Sequence, residues 1–181
     1  MAHIDLGFDE HESPGIVGLM RYRPETGGPL SALAEALLVA PNSLSRGERE
    51  LIASHVSALN DCAFCRDSHA AFAAAQLEPG MILVEQVRAH PETAPISAKL
   101  RALLAIAAAV RADGKAVTEV LVDAARAAGA TDVEIHDTVL IAAAFCMFNR
   151  YVDGLATFAP TDPAAYAESA RRVVELGYVA H

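Results

Sequence analysis

Cysteine, basic charge and long apolar runs are all scarce in this chain, and each scarcity removes a class of protein. Only three cysteines occur in 181 residues. An odd and small number in a chain of this length argues against a structural disulfide framework. Basic residues are outnumbered, with 14 Lys and Arg against 23 Asp and Glu, for a net charge of -9. Binding a phosphate backbone needs clustered cations that release counterions, so nucleic acid is not expected as a partner. Although 53% of residues are hydrophobic, much of that is alanine. Charges interrupt the apolar stretches well before the roughly 20 residues that a membrane span requires. Residues 1–12 show no basic-then-apolar leader, which predicts a soluble cytoplasmic protein with no membrane contact.

Runs of alternating or β-branched residues are also missing, and from Pro29 onward Ala and Leu recur with helical period. The fold class predicted is all-α. A chain of this size suits one domain. Pro14, Gly15, Gly18, Pro24, Gly27 and Gly28 mark residues 1–28 as an irregular arm laid over a neighbouring surface, and 29–181 form the single helical domain. Ser45-Arg-Gly-Glu48 and Thr131-Asp-Val-Glu134 read as capping boxes, so long helices start near 46 and 132. Further helices are expected near 80–89, 97–112, 118–128 and 163–176. Asn60-Asp61 should break the first long segment, because both side chains favour caps over helix interiors.

Sliding the chain by 84 residues superposes Glu50 on Glu134 and Cys62 on Cys146, with Asn149 opposite Cys65 and Asp153 opposite His69. Two long helical units related by an internal repeat would follow, only the first keeping a cysteine pair.

That pair, Cys62-Ala-Phe-Cys65, carries the chemistry. Two thiols at this spacing cycle between dithiol and disulfide, or bind a metal if two more ligands are supplied. Behind a break at 60–61 they fall in the first turn of a helix, where amide groups and the dipole favour thiolate. His69 stands four residues after Cys65 and shares its helical face, within reach for proton exchange. Glu50, on the preceding helix, could orient His69 or relay its proton. Taken singly, Glu50 beside Glu48 and Arg49 reads as a solvated charge, Cys146 as a small buried hydrophobe, and Phe64 as packing. His90 and His136 have no evident partner. Zinc on Cys62, Cys65, His69 and His55 is the sharpest rival, but structural zinc joins two separated ligand pairs and no second pair exists, so no metal and no cofactor is expected. A thioredoxin-type domain would need a strand before the motif, and none is visible.

Glu50, eleven residues, Cys62-Ala-Phe-Cys65, three residues and His69 together resemble the signature of the alkylhydroperoxidase D and carboxymuconolactone decarboxylase superfamily. The region 29–160 is similar to its helical domain, and Phe148-Asn-Arg-Tyr-Val-Asp-Gly154 resembles a segment of its peroxidase-related branch. The resemblance implies an oxidoreductase: a thiol peroxidase acting on organic hydroperoxides or hydrogen peroxide. Cys65 would be oxidised to sulfenic acid, Cys62 would resolve it as a disulfide, and Glu50 with His69 would relay protons. It further implies reduction by a dithiol protein or a lipoyl or thioredoxin-type system, and a homo-oligomer, dimer, trimer or hexamer. Phe64 stands where the best-known members carry histidine. The alternatives are a cofactor-free decarboxylase-like acid-base enzyme using Glu50 and His69, and a non-enzymatic redox sensor.

Overall fold

Ser45 and Thr131 each cap a helix by reciprocal hydrogen bonds. Glu48 N donates to Ser45 Oγ at 3.2 Å while Ser45 N donates to Glu48 Oε2 at 2.8 Å. Thr131 and Glu134 repeat the arrangement at 3.2 and 2.8 Å. The computed structural model describes residues 1–179, and among them every regular element is helical. In chain order these are α1 (Ile16–Tyr22), α2 (Pro24–Leu38), α3 (Arg46–Leu59), α4 (Ala63–Ala74), α5 (Met81–Ala89), α6 (Ala98–Ala112), α7 (Glu119–Ala127), α8 (Asp132–Gly154) and α9 (Pro163–Leu176), with a 3-10 turn at Gly114–Ala116. No described helix is long and apolar enough to cross a membrane.

Helix α3 lies at the centre, packed along α4, α8 and α6, and α9 closes over α4. The main core joins Leu51, Ile52 and Val56 of α3 to Leu103, Leu104 and Ile106 of α6 and to Ile141 and Phe145 of α8, all buried. A smaller cluster gathers Cys62, Phe64, Cys65 and Phe72 under Tyr166, Ala170 and Val173 of α9. The two thiols therefore sit in an apolar joint between α4 and α9 rather than at the surface.

The chain departs from expectation over residues 16–28, which are not irregular but form α1 and the start of α2. Pro24 occupies the first turn of α2, where no amide hydrogen bond is lost. Burial of Ala34, Leu37 and Leu38 then outweighs the poor propensity of Gly27, Gly28 and Pro29. The irregular part ends at Gly15 and lies on its own chain. His3 N donates to Leu155 O at 2.8 Å, and Gly15 N to Phe158 O at 2.9 Å. Gly15 adopts φ 59°, and a Cβ there would enter the ring of Phe64, so glycine is required on both counts.

The two long units differ in shape. The first breaks at 60–62 into α3 and α4, whereas α8 runs unbroken for 23 residues. Glu134 is buried like Glu50, but it caps α8 and pairs with Lys99 Nζ at 2.8 Å. Asn149, opposite Cys65 in the alignment, is buried and ties α8 to the end of α3, donating to Ser57 Oγ at 3.0 Å and accepting from Asn60 Nδ2 at 2.8 Å. Asp153 is exposed. Cys146 is half-buried against the main core, 3.6 Å from Asn60 Nδ2.

Candidate active site

The break after α3 places both thiols. Leu59 ends the helix, Asp61 takes φ 58°, and Cys62 becomes the N-cap of α4 in an extended conformation. Cys65 is the third residue of that helix, in the turn whose amides lack intrahelical partners. Both are free thiols. Cys62 is fully buried, whereas Cys65 is 3% exposed and opens onto a cavity of about 110 Å3. The Cys62 thiol is pushed far above its usual range by its hydrogen bond to the Cys65 sulfur, then by burial, with the carboxylate of Asp153 adding to the effect. Cys62 is thus the thiol that keeps its proton.

His69 lines the same cavity. Its Nδ1 is 2.6 Å from Glu50 Oε2. An ionised carboxylate there accepts the Nδ1 hydrogen and leaves Nε2 as the imidazole's other nitrogen for proton exchange. Edge contacts with Phe72 and Phe145, at 5.1 and 4.5 Å between centroids, fix the ring plane. Glu50 is only 1% exposed, so the solvated reading of this carboxylate is wrong. Its neighbour Arg49 is equally buried and donates to the carbonyls of Leu37 and Ala40 at 3.0 Å, closing the end of α2.

One residue of the cluster escaped sequence reasoning. The Tyr178 hydroxyl donates to Glu50 Oε1 at 2.7 Å across 128 residues of sequence. Burial, reinforced by the Glu50 charge, raises the Tyr178 phenol well above its ordinary 10, so it remains a donor. Gly177, at φ 76° against Glu35, lets the chain turn after α9, and Tyr178 N donates to Glu35 Oε2 at 2.7 Å. Arg46 holds the same helix end through Val173 O and Val174 O at 3.0 and 3.1 Å. No spacing pattern announced this tyrosine; a Gly-Tyr step just past a helix end was its sole local mark.

His55 lies elsewhere, packed with Val84, Val87 and Arg88, and its pKa is lowered by burial. Among the described residues no three His, Cys, Asp or Glu side chains converge as a metal site would require. What does converge is a pair of apposed thiols and a histidine buttressed by a buried carboxylate, around one largely apolar cavity.

The sequence model of the carboxymuconolactone decarboxylase family matches residues 24–78 and 83–159. An uncharacterized peroxidase-related protein from Ralstonia eutropha JMP134, described as an alkylhydroperoxidase AhpD core, superposes with a TM-score of 0.77 at 26% identity over 90% of this chain and 85% of its own. A second uncharacterized peroxidase-related protein, from Silicibacter sp. TM1040, gives 0.77 and 26% over 87% and 81%. An Agrobacterium tumefaciens protein of unknown function, suggested to serve antioxidant defence, shares the fold at TM-score 0.68 and 24% identity over 80% and 97%. No curated protein matches the sequence significantly.

Proposed function

The chain belongs to the carboxymuconolactone decarboxylase family, and from that premise we propose that it is a thiol-dependent peroxidase that reduces hydroperoxides through a Cys62-Cys65 dithiol-disulfide cycle. The observation that carries the reading is the asymmetry of the pair. Cys65 opens on the cavity that His69 also lines, while Cys62 is sealed behind it and keeps its proton. The peroxidase-related description of two structural relatives supports the same class.

In this cycle His69 Nε2 first takes the proton of the Cys65 thiol, and the resulting thiolate attacks the distal oxygen of the hydroperoxide. The O–O bond breaks, the sulfur becomes sulfenic acid, and the leaving alkoxide takes a proton from His69 to depart as an alcohol. Glu50 holds the imidazole in the tautomer that leaves Nε2 free for this transfer, and Tyr178 occupies the second carboxylate oxygen so that Glu50 cannot turn away. Cys62 then attacks the sulfenic sulfur. A disulfide forms and water leaves, its second proton coming from the Cys62 thiol. An external dithiol restores both cysteines by exchange, supplying the two electrons that the hydroperoxide has consumed.

The test is peroxide consumption by the reduced protein with a dithiol reductant, beside Cys62→Ser and Cys65→Ser. Turnover should vanish in both variants. A stable sulfenic acid should be trapped in Cys62→Ser alone, and the reverse labelling pattern would exchange the two roles. The His69-Glu50 pair at 2.6 Å also favours a second reading, a cofactor-free acid-base enzyme of the decarboxylase kind. An activity on a lactone or β-keto acid that survives loss of both cysteines would select it.

A further inference from the structure

We propose that the cavity over Cys65 takes an amphipathic anion: a hydroperoxide with an apolar body whose other end bears a carboxylate recognised by Arg172. The hydroperoxide part rests on the peroxidase reading, whereas the preference for an apolar anion stands on the cavity itself.

The wall is built from Val17, Met20, Phe72, Phe145 and Phe148, and aromatic and aliphatic surface dominates it. Such a wall favours hydrocarbon over hydrogen peroxide, since each methylene transferred into it improves affinity about fourfold. Burial sets the order of depth. Cys65 is 3% exposed at the inner end, and Arg172, on α9, is solvent-exposed at the outer end of the same cavity. Arg172 forms no hydrogen bond or ion pair among the described residues, although Glu168 and Glu175 stand within one turn of it on α9. Its neighbours on the helix face, Ser169 and Val173, also line the cavity. In a chain of net charge -9, anions are repelled in general. A guanidinium held at the mouth of an apolar slot selects the anion whose hydrocarbon fills the slot, and its planar fork suits a carboxylate. Reaction with Cys65 as written above would release the corresponding hydroxy acid, with the thiol pair as the two-electron donor.

The experiment has a binding arm and a turnover arm. Calorimetric titration of the reduced protein with octanoate and with 1-octanol compares equal hydrocarbon with and without charge. Octanoate should bind at least tenfold more tightly than octanol in the wild type. Arg172→Met should bring the two within about threefold, and Arg172→Lys, which keeps the charge, should retain part of the difference. 8-Hydroperoxyoctanoic acid and its methyl ester should show the same acid preference in kcat/KM and its loss in Arg172→Met. Equal affinities in the wild type, no binding of either probe, or an acid preference that survives Arg172→Met would each overturn the proposal. If octanoate is preferred through Arg172 but no hydroperoxide is consumed, the ligand class stands and the peroxidase reading falls.

Discussion

Protonating Glu134 should cost this protein a measurable part of its stability. The carboxylate is 1% exposed at the start of α8 and receives Lys99 Nζ at 2.8 Å, Ser43 Oγ at 2.9 Å and Thr131 N at 2.8 Å. Burial by itself would raise its pKa. The ammonium of Lys99, the Thr131 amide and the Ser43 hydroxyl outweigh that and hold it down from 4.5 to about 2. A depressed carboxyl stabilises the folded state fully above the unfolded value and loses that contribution as pH falls through the folded one. The window is therefore pH 4.5 to about 2. The shift corresponds to about 3.4 kcal/mol at full weight. Lys99 is 28% exposed, so solvent screening reduces the expectation to about 2 kcal/mol. Urea unfolding followed by circular dichroism at pH 7, 4 and 3 measures it. Glu134→Gln should be about 2 kcal/mol less stable than wild type at pH 7, and more than half of that difference should be gone at pH 3, with convergence only near pH 2. A constant difference between the two proteins from pH 7 to pH 3 would refute the assignment of this charge as the source.

Three further perturbations probe the site and its supports. Gly15→Ala should destabilise by about 2–3 kcal/mol in thermal unfolding, whereas Gly7→Ala, with φ 75° but open space around it, should cost about 1 kcal/mol; equal losses would mean that the Phe64 contact is not tight. Tyr178→Phe leaves Glu50 Oε1 unpaired and should cost about 1–3 kcal/mol. Because the Tyr178 pKa is raised, its contribution is present below pH 10 and declines as pH rises beyond, so the variant should lose less stability than wild type between pH 10 and 11.5. Asn149→Ala strips partners from Ser57 and Asn60 and should lower stability by about 1–3 kcal/mol in urea; a neutral substitution would show that α8 is held to α3 by packing alone.

Local signals in the sequence proved readable because they are settled by local physics. Capping boxes at Ser45 and Thr131 follow from side chains that bond their own backbone, the break at Asn60-Asp61 from residues that leave a helix readily, Asp61 taking φ 58°, and the helices begin and end accordingly. The juxtaposition of Glu50 with His69 was legible too, since an antiparallel turn across 60–61 leaves few other ways to stack α3 on α4. The burial of Glu50 was not. Charged neighbours suggested solvent, yet Arg49 is buried because the carbonyls ending α2 need a donor, a demand set by a different helix. Helices α1 and α2 were hidden for a related reason: glycine and proline describe the isolated segment, whereas Leu37 and Leu38 find their stabilisation in the main core. Tyr178 lay beyond reach, because a Gly-Tyr step past a helix end names no partner and Glu50 is far away in the chain.

The seating of Phe64 against Gly15 has a practical corollary for protein engineering. Residues 1–15 look dispensable by composition, and an expression variant starting at Ile16 would be a natural economy. Such a truncation removes the backbone against which the ring beside both sulfurs rests, together with the tethers to Leu155 and Phe158. Bulky fusions joined directly to Met1 would strain the same tether, since Ala2 N donates to Glu10 Oε1 at 2.6 Å. Affinity handles therefore belong behind a flexible spacer, and an inactive trimmed protein would report on its missing buttress rather than on its thiols.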